Sequence, residues 1–187
     1  MPQACRILIL NERDPRHPAA GGAEVHIAEI SRRMAAMGYR VTQAAVGFPG
    51  APQREELDGL EVIRLGRIRW YYPSAAALCA RETRRGRFDL VVEHLNKLPF
   101  CSPAYSAVPV LAVDHHLFGR SAFLQVAWPV AAAAGAAQAP IPWGFPRAPF
   151  PAGSQNSRVE PVERGIAPER IRPVPTAVRL PKPPPPP

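Results

Sequence analysis

A buried strand, a glycine-bearing loop, an amphipathic helix and a second strand follow one another near the start of the chain. Residues 5–10 (CRILIL) form an apolar run that is typical of a strand buried on both faces. Gly21 and Gly22 end the polar loop that follows. Later apolar residues recur at spacings of three and four, as on one face of a helix: Ile27, Ile30, Met34 and Met37. With a strand over residues 40–46, this order predicts a βαβ unit with a right-handed crossover and a parallel sheet.

The same alternation continues along the chain. Further strands are predicted over residues 60–65, 88–93 and 108–114. Helices are predicted over residues 74–85, with Ser74 as N-cap, and over residues 121–137, with a break at Pro129. Repeated apolar strands and helices in this order predict an α/β protein with an open, doubly wound parallel sheet.

Proline marks where this pattern ends. Of the 25 prolines among 187 residues, 10 lie in residues 1–139 and 15 in residues 140–187. We therefore predict one domain over residues 1–139 and a degenerate, Pro-rich and partly disordered segment over residues 140–187, in which the pattern stops. The last residues, PKPPPPP, are predicted to form polyproline II or to be disordered.

The net charge of +8 is concentrated in one stretch. Residues 64–87 hold seven arginines against one acid, Glu82. Such a surplus attracts phosphates, anionic lipid or nucleic acid, although a solvated helix face has the same composition. The seven are Arg64, Arg67, Arg69, Arg81, Arg84, Arg85 and Arg87.

Cysteines and apolar segments indicate the cellular compartment of the protein. Its three cysteines are scattered and form no CxxC pair, which favours a reducing cytoplasm over a disulfide framework or a zinc site. The apolar run at residues 7–10 is too short for a signal peptide. Residues 122–137 are alanine-rich and too few for a membrane span. We therefore expect a cytoplasmic protein.

Polar residues follow several strands at the edge where an open sheet binds ligands. Gly21 and Gly22 follow the first strand, and a glycine pair at a helix N-terminus lets a phosphate or sugar approach the backbone. The later strands add three histidines, two acids, an asparagine and a lysine: Glu93, His94, Asn96, Lys97, Asp114, His115 and His116. Three interpretations stay open. His94, Asp114, His115 and His116 could bind metal, although their spacing is not a zinc pattern, or a histidine could bind substrate hydroxyls and transfer a proton. These side chains could also only cap strand ends and hydrogen-bond loops.

Two stretches carry a family resemblance. GGAEVHIAEISRRMAAMGYRVT resembles the start of the family 4 glycosyltransferases of the GT-B fold. FDLVVEHLNKLPFCSPAYSAVPVLAVDHHLFGRSAF resembles a subgroup with an Asn-Lys-x-Pro-Phe segment and a His-His-Leu-Phe-Gly segment. The similarity spans nearly all of residues 5–135.

The resemblance implies a fold and a reaction. It implies the Rossmann-like, acceptor-side N-terminal half of a GT-B enzyme, which transfers a sugar with retention from a nucleotide-sugar to a glycan or lipid acceptor. The nucleotide-sugar is a co-substrate, and neither cofactor nor metal is implied. His115 matches the histidine near the transferred sugar, and Gly21 and Gly22 match the loop that meets the donor phosphate and the acceptor. Asn96, Lys97 and His116 are the other expected substrate contacts.

The sequence also departs from the family pattern. Asp114 stands where the family has an apolar residue, and Pro161 and Pro173 fall where it has a helix and a strand. Thr176 and Ala177 replace an Asn-Gly turn. A donor-binding domain with its pair of glutamates is missing from the sequence, so we expect the chain alone to be inactive.

The arginine stretch leaves other functions open. With Trp70, Tyr71 and Tyr72 it could bring the domain to the inner face of an anionic membrane or to a lipid-phosphate acceptor. A non-catalytic polyanion-binding module is the alternative, but no motif for nucleic-acid binding accompanies the arginines. Display of the Pro-rich tail to a partner is a third possibility.

Overall fold

The computed structural model describes residues 4–95, 98–114, 128, 135–136, 138–139, 141–145, 148–152, 161–162 and 165–174. Its strands are β1 (Arg6–Leu10), β2 (Arg40–Ala45), β3 (Arg54–Leu57), β4 (Leu60–Arg64), β5 (Leu90–Leu95), β6 (Val110–Asp114), β7 (Phe150–Ala152) and β8 (Ile171–Pro173). Its α-helices are α1 (Gly22–Ala36), α2 (Ile68–Arg84) and α3 (Ile141–Gly144), and 3-10 turns lie at Ser102–Ala104 and Pro168–Arg170.

Within these ranges the strands form one eight-stranded sheet in the order β3-β4-β2-β1-β5-β6-β7-β8. Every neighbouring pair is parallel except β3 and β4, which are antiparallel. The order reverses at β1, between β2 and β5, which is the topological switch point of a doubly wound sheet. The predicted α/β, Rossmann-like parallel sheet is confirmed.

Apolar residues of β1 alternate between two hydrophobic clusters. Leu8 and Leu10 belong to the larger cluster, together with Tyr71 of α2. Ile7 and Ile9 belong to the smaller one, together with Ile27 of α1. Because successive side chains of a strand point to opposite faces, one short apolar run supplies both cores, which explains why this strand has no polar face.

The buried face of α1 differs from the predicted stripe. Ile27 is buried as expected and Met34 packs at the edge of its cluster, but Ile30 and Met37 are 40% and 73% exposed. Ser31 is buried instead, four residues after Ile27. Ile30 lies about 60° around the helix from Ile27, because three residues turn the helix by about 300°. A small side chain in the line of contact brings the helix close to the sheet.

The helix α2 begins at Ile68, six residues before the predicted N-cap Ser74, and it therefore contains Pro73. An interior proline removes a backbone hydrogen bond and costs about 3 kcal/mol. Tyr71 is completely buried against the sheet, and Tyr72 packs beside it at a ring separation of 5.4 Å. Burial of large aromatic side chains contributes a similar amount and offsets that cost.

A charged hairpin strand was missed by the sequence analysis. The strand β3 (REEL) carries three charges and has an exposed side, so it lacks the apolar pattern used for prediction. It joins β4 through Asp58 and Gly59, whose φ angles are 48° and 85°. These angles are those of a type I′ turn, which the Asp-Gly pair favours.

The sheet continues beyond residue 140, so the expectation that the pattern stops there is wrong. Phe145, Phe150, Ile166 and Ile171 are buried in the larger hydrophobic cluster, and β7 and β8 extend the sheet from β6. Pro173 ends the edge strand β8, where a missing amide costs little. The boundary at residue 139 stays a prediction, but described parts of residues 140–187 share the core of the preceding domain.

Candidate functional site

The carboxyl ends of the parallel strands lie at one edge of the sheet, which we call the carboxyl edge. The loop after β1, the start of α1, the start of α2 and the loop after β5 all lie there. In an open α/β sheet this edge, next to the switch point at β1, is where ligands bind.

Gly21 and Gly22 are exposed at the start of α1. Gly21 donates its amide to Glu24 Oε2 at 2.6 Å, and Asn11 Nδ2 donates to Glu24 Oε1 at 3.0 Å. A side chain at Gly22 would meet no atom within 4 Å. The backbone at this helix N-terminus is therefore both held in place and open to a ligand, and the helix dipole favours an anionic one.

Arg64 is buried beneath the loop after β1. Its Nε and Nη2 atoms lie 2.8 and 3.0 Å from the two carboxylate oxygens of Asp14, and the two side chains are 2% and 0% exposed. Nη2 also lies 2.9 Å from Glu55 Oε2. These hydrogen bonds, first of all the one that Arg64 donates to Asp14, raise the pKa of Arg64. The prediction that Arg64 contacts a membrane is therefore wrong, because its charge faces two carboxylates inside the protein.

Glu93 organises the loop after β5. Its carboxylate is fully buried and accepts hydrogen bonds from the amides of Phe100 at 2.6 Å, Cys101 at 3.2 Å and Ser102 at 2.9 Å. Ser102 Oγ donates a further bond at 2.6 Å. Burial raises the pKa of Glu93, and these donors act against that rise. Glu93 is thus a structural acceptor and not a group open to substrate.

The other predicted site residues are described only in part. His94 is 6% exposed within β5, where the backbone is paired with Val113. Leu95 and Asp114, the last residues of β5 and β6, are directly paired. The remaining predicted residues lie outside the described part of the chain: Asn96, Lys97, His115 and His116. No group of three or more possible metal ligands occurs among the residues described.

The arginine stretch divides into three parts. Arg64 is buried, as shown above, whereas Arg67 and Arg69 flank the start of α2 at the carboxyl edge. The other four lie at the far end of α2, roughly 25 Å away for 17 residues: Arg81, Arg84, Arg85 and Arg87. Arg81, Arg85 and Arg87 each contact the carboxylate of Glu82, and Arg84 is exposed. The hydrogen bond from Arg81 is the main cause of the lowered pKa of Glu82. The predicted seven-arginine patch is therefore not one surface.

An exposed tryptophan accompanies Arg67 and Arg69, and two more are exposed elsewhere in the described chain. Trp70 is 61% exposed in the first turn of α2, with the Arg69 guanidinium 5.8 Å from its ring centroid. Trp128 and Trp143 are 74% and 78% exposed. Among the helices described, none is long and apolar enough to cross a membrane.

A cavity of about 510 Å³ lies elsewhere, at the amino ends of β2 and β4 beside Arg40 and Gly59. Its charged lining is largely paired internally, since Glu61 binds both Thr42 and Arg54.

Sequence reasoning missed the contacts that fix the carboxyl edge. The pairs Arg64–Asp14 and Asn11–Glu24 join residues 50 and 13 positions apart. The available signal was a charged residue inside or at the end of an apolar strand, as in LEVIR and LVVEHL. A charge in such a position requires a buried partner.

Comparison with known proteins supports the fold and the family. The family model for Glycosyltransferase Family 4 matches residues 20–181. The chain is similar to Anabaena HepE in complex with UDP-glucose, with a TM-score of 0.60 and 13% identity over 92% of this chain and 44% of HepE. It is also similar to HepE in complex with UDP and glucose, with a TM-score of 0.56 and 16% identity over 93% of this chain and 45% of HepE.

A third similar structure is sucrose-phosphate synthase from Thermosynechococcus elongatus, with a TM-score of 0.52 and 11% identity over 87% of this chain and 83% of that one. No curated protein matches the sequence. At these low identities the TM-scores show a shared fold alone, and the chain spans less than half of the HepE structures. Because the family model covers most of the sequence, including Gly21 and Gly22, the chain belongs to glycosyltransferase family 4.

Proposed function

We propose that this chain is the acceptor-side half of a retaining glycosyltransferase, which transfers a sugar from a nucleotide-sugar to a glycan or lipid acceptor. The observation that carries the proposal is the family match over residues 20–181, which begins next to the open glycine pair at the start of α1. HepE, which shares the fold, binds UDP-glucose, so a uridine diphosphate sugar is the first donor to test.

The glycine pair suits the donor phosphate. Glu24 already accepts the Gly21 amide, so the next amides of the first turn, from Gly22 onward, are those left for an anion. Absence of a side chain at Gly22 allows the phosphate to approach the backbone closely.

The remaining roles follow from the family resemblance. His115 would line the cleft beside the transferred sugar, and Asn96, Lys97 and His116 would contact the acceptor. In the family, stabilisation of the leaving diphosphate comes mainly from the donor-side domain. The chain by itself therefore lacks most of what lowers the barrier and should be inactive alone.

If the acceptor is a lipid, the start of α2 is the surface that would contact the membrane. Arg67, Arg69 and Trp70 lie at the carboxyl edge and offer both positive charge and an exposed aromatic side chain. Arg81, Arg85 and Arg87 lie at the opposite end and are partly neutralised by Glu82. For a lipid acceptor, we propose that the protein lies at the cytoplasmic face of a membrane with the start of α2 turned toward it.

The test compares the chain alone with a chimera in which the donor-side half of HepE follows it. With UDP-glucose and a set of glycan and lipid acceptors, we expect no product from the chain and α-configured product from the chimera, as measured by NMR of the anomeric proton. In the chimera His115→Ala should lower turnover about 100-fold or more. Arg87→Gln, at the far end of α2 from the carboxyl edge, is the control variant and should leave turnover unchanged.

Each result bears on one part of the proposal. Product from the chain alone contradicts the need for a donor-side domain, and β-configured product contradicts retention. Unchanged turnover after His115→Ala removes His115 from the site. A folded chimera that transfers glucose to none of the acceptors and hydrolyses no UDP-glucose contradicts the proposed activity.

A further inference from the structure

We infer that Arg64 is a positioning residue for the glycine pair: through Asp14 it holds the loop that places Gly21 and Gly22 at the carboxyl edge. Arg64 itself is buried and touches no substrate site. The inference rests on the proposed function, because that function makes these glycines the contact for the donor phosphate.

The contact between Arg64 and Asp14 has a single well-defined geometry. Two guanidinium nitrogens face two carboxylate oxygens at 2.8 and 3.0 Å, and both side chains are excluded from water. Two further acceptors fix the guanidinium from the other side, Glu55 Oε2 and the Pro52 carbonyl, each at 2.9 Å. A bidentate buried pair permits little rotation, and removal of one partner leaves an uncompensated charge.

Hydrogen bonds lead from Asp14 to the glycines. Its Oδ1 accepts the Arg16 amide at 2.8 Å, and its carbonyl accepts the His17 amide at 3.0 Å. The His17 carbonyl in turn accepts the Ala20 amide at 2.8 Å. Gly21 is the next residue, so the chain between the ion pair and the helix consists of two consecutive turns with no unsupported stretch.

The first part of the same loop is held differently. The Arg13 carbonyl accepts Asn11 Nδ2 and Gln43 Nε2, both at 2.7 Å, which ties residues 11–13 to the sheet. Beyond Asp14, Arg13 Nη1 donates to the Ala19 carbonyl at 2.7 Å, Arg16 pairs with Glu55, and the His17 ring packs edge-on against Phe48 at 5.2 Å. These contacts are exposed or half-buried, so they contribute less to holding residues 14–20 than the buried pair of Arg64 and Asp14 does.

The experiment follows backbone amides of the ¹⁵N-labelled 187-residue chain by NMR. The variants are Asp14→Asn, Arg64→Met, Arg64→Lys and the double variant Asp14→Asn with Arg64→Met. Arg54→Met is the matched control, since Arg54 belongs to the same hairpin but pairs with Glu61 at the surface. Millimolar UDP-glucose serves as the ligand probe.

We expect hydrogen exchange at the amides of Arg16, His17 and Ala20 to become about tenfold faster or more in Arg64→Met, because the loop opens more easily. Arg64→Lys, which keeps a charge beside Asp14, should restore part of this protection. The Gly21 and Gly22 amide shifts of the double variant should equal those of Asp14→Asn, because Arg64 acts through Asp14. Arg54→Met should match the parent chain throughout.

Two outcomes overturn the inference: Gly21 and Gly22 shifts that stay at the parent values in folded Arg64→Met, or changes that add in the double variant. Should Arg64→Met unfold, Arg64→Lys and Asp14→Asn supply the same comparison. UDP-glucose that leaves the parent Gly22 amide unperturbed contradicts the proposed phosphate contact instead. The role of Arg64 in placing the loop is decided separately by the exchange rates and the double variant.

Discussion

At the carboxyl edge, two carboxylates, those of Asp14 and Glu93, are buried and fully engaged. Each carboxylate accepts hydrogen bonds from backbone amides of a loop, Asp14 from the loop after β1 and Glu93 from the loop after β5. A carboxylate is suited to this because it accepts several hydrogen bonds at once and so fixes several backbone amides. The described parts of both loops are thereby held in place by residues other than the proposed substrate contacts.

Glu93→Gln tests this at a single residue. The amide group would place an N–H against the donors of Phe100 and Ser102, so we expect the free energy of unfolding to fall by about 2–3 kcal/mol in urea denaturation. Glu56→Gln, an exposed glutamate on β3, is the control and should change it by less than about 0.5 kcal/mol. Equal effects of the two substitutions would contradict the role given to Glu93.

The sequence located these charged residues but did not decide all of their roles. Glu93 lay in a cluster for which capping strand ends and bonding loops was one of three alternatives, whereas Arg64 was assigned to a membrane-binding surface. Whether a charge is buried depends on partners that sequence spacing does not reveal, and Asp14 lies 50 positions from Arg64. Gly21 and Gly22 were placed at an open helix N-terminus as predicted, because a local strand–loop–helix pattern determines that position.

At the level of elements, the close packing of α1 on the β3–β4 hairpin depends on Gly59. Its φ of +85° is one that side chains rarely adopt, and a Cβ there would lie 2.6 Å from Ala35 Cβ. The hairpin turn and the helix therefore meet at a point that admits no side chain on the turn.

Gly59→Ala is expected to lower the free energy of unfolding by about 2–3 kcal/mol, from backbone strain and from overpacking against α1. Gly50→Ala isolates the strain, since Gly50 has a φ of +79° but open space around it, and should cost about 1 kcal/mol. The measurement is urea denaturation of both variants. Similar losses for the two would show that contact with Ala35 contributes nothing.

Strands that are apolar on both faces were recognised from sequence, and their register explains why. β1, β2, β5 and β6 lie at or near the centre of the sheet, where both faces are covered, so most of their residues are apolar. β3 is an edge strand with charged residues and was not recognised. β5 ends later and α2 begins earlier than predicted. Burial of Leu95 and Tyr71 in the core extends these two elements past the signals in their local sequence.

For the whole molecule, the sheet joins the proline-rich part of the chain to the rest. β7 and β8 cover the edge of β6, and their apolar residues complete the larger core. Composition alone could not predict this, since single buried residues such as Phe150 and Ile171 stand between prolines and form no periodic pattern. Among the described residues, Pro173 ends the edge strand β8, where the sheet tolerates a missing amide.

A chain that ends at residue 139 should therefore lose cooperative unfolding, because it exposes the β6 edge and part of the larger core. Near-ultraviolet circular dichroism and dye binding during urea denaturation would detect that loss. A chain that ends at residue 181 is the control and should behave as the full chain. Cooperative unfolding of residues 1–139 at the original midpoint would instead support the predicted domain boundary.

The exposure of Trp70, Trp128 and Trp143 has a spectroscopic consequence. These are the chain's three tryptophans, and all of them are exposed to solvent in the folded state. Their emission should already resemble that of free indole in water and change little when the protein unfolds. A donor-side domain or a lipid surface that covers Trp70 would shift that emission to shorter wavelength. Intrinsic fluorescence of this protein should therefore report association but not unfolding.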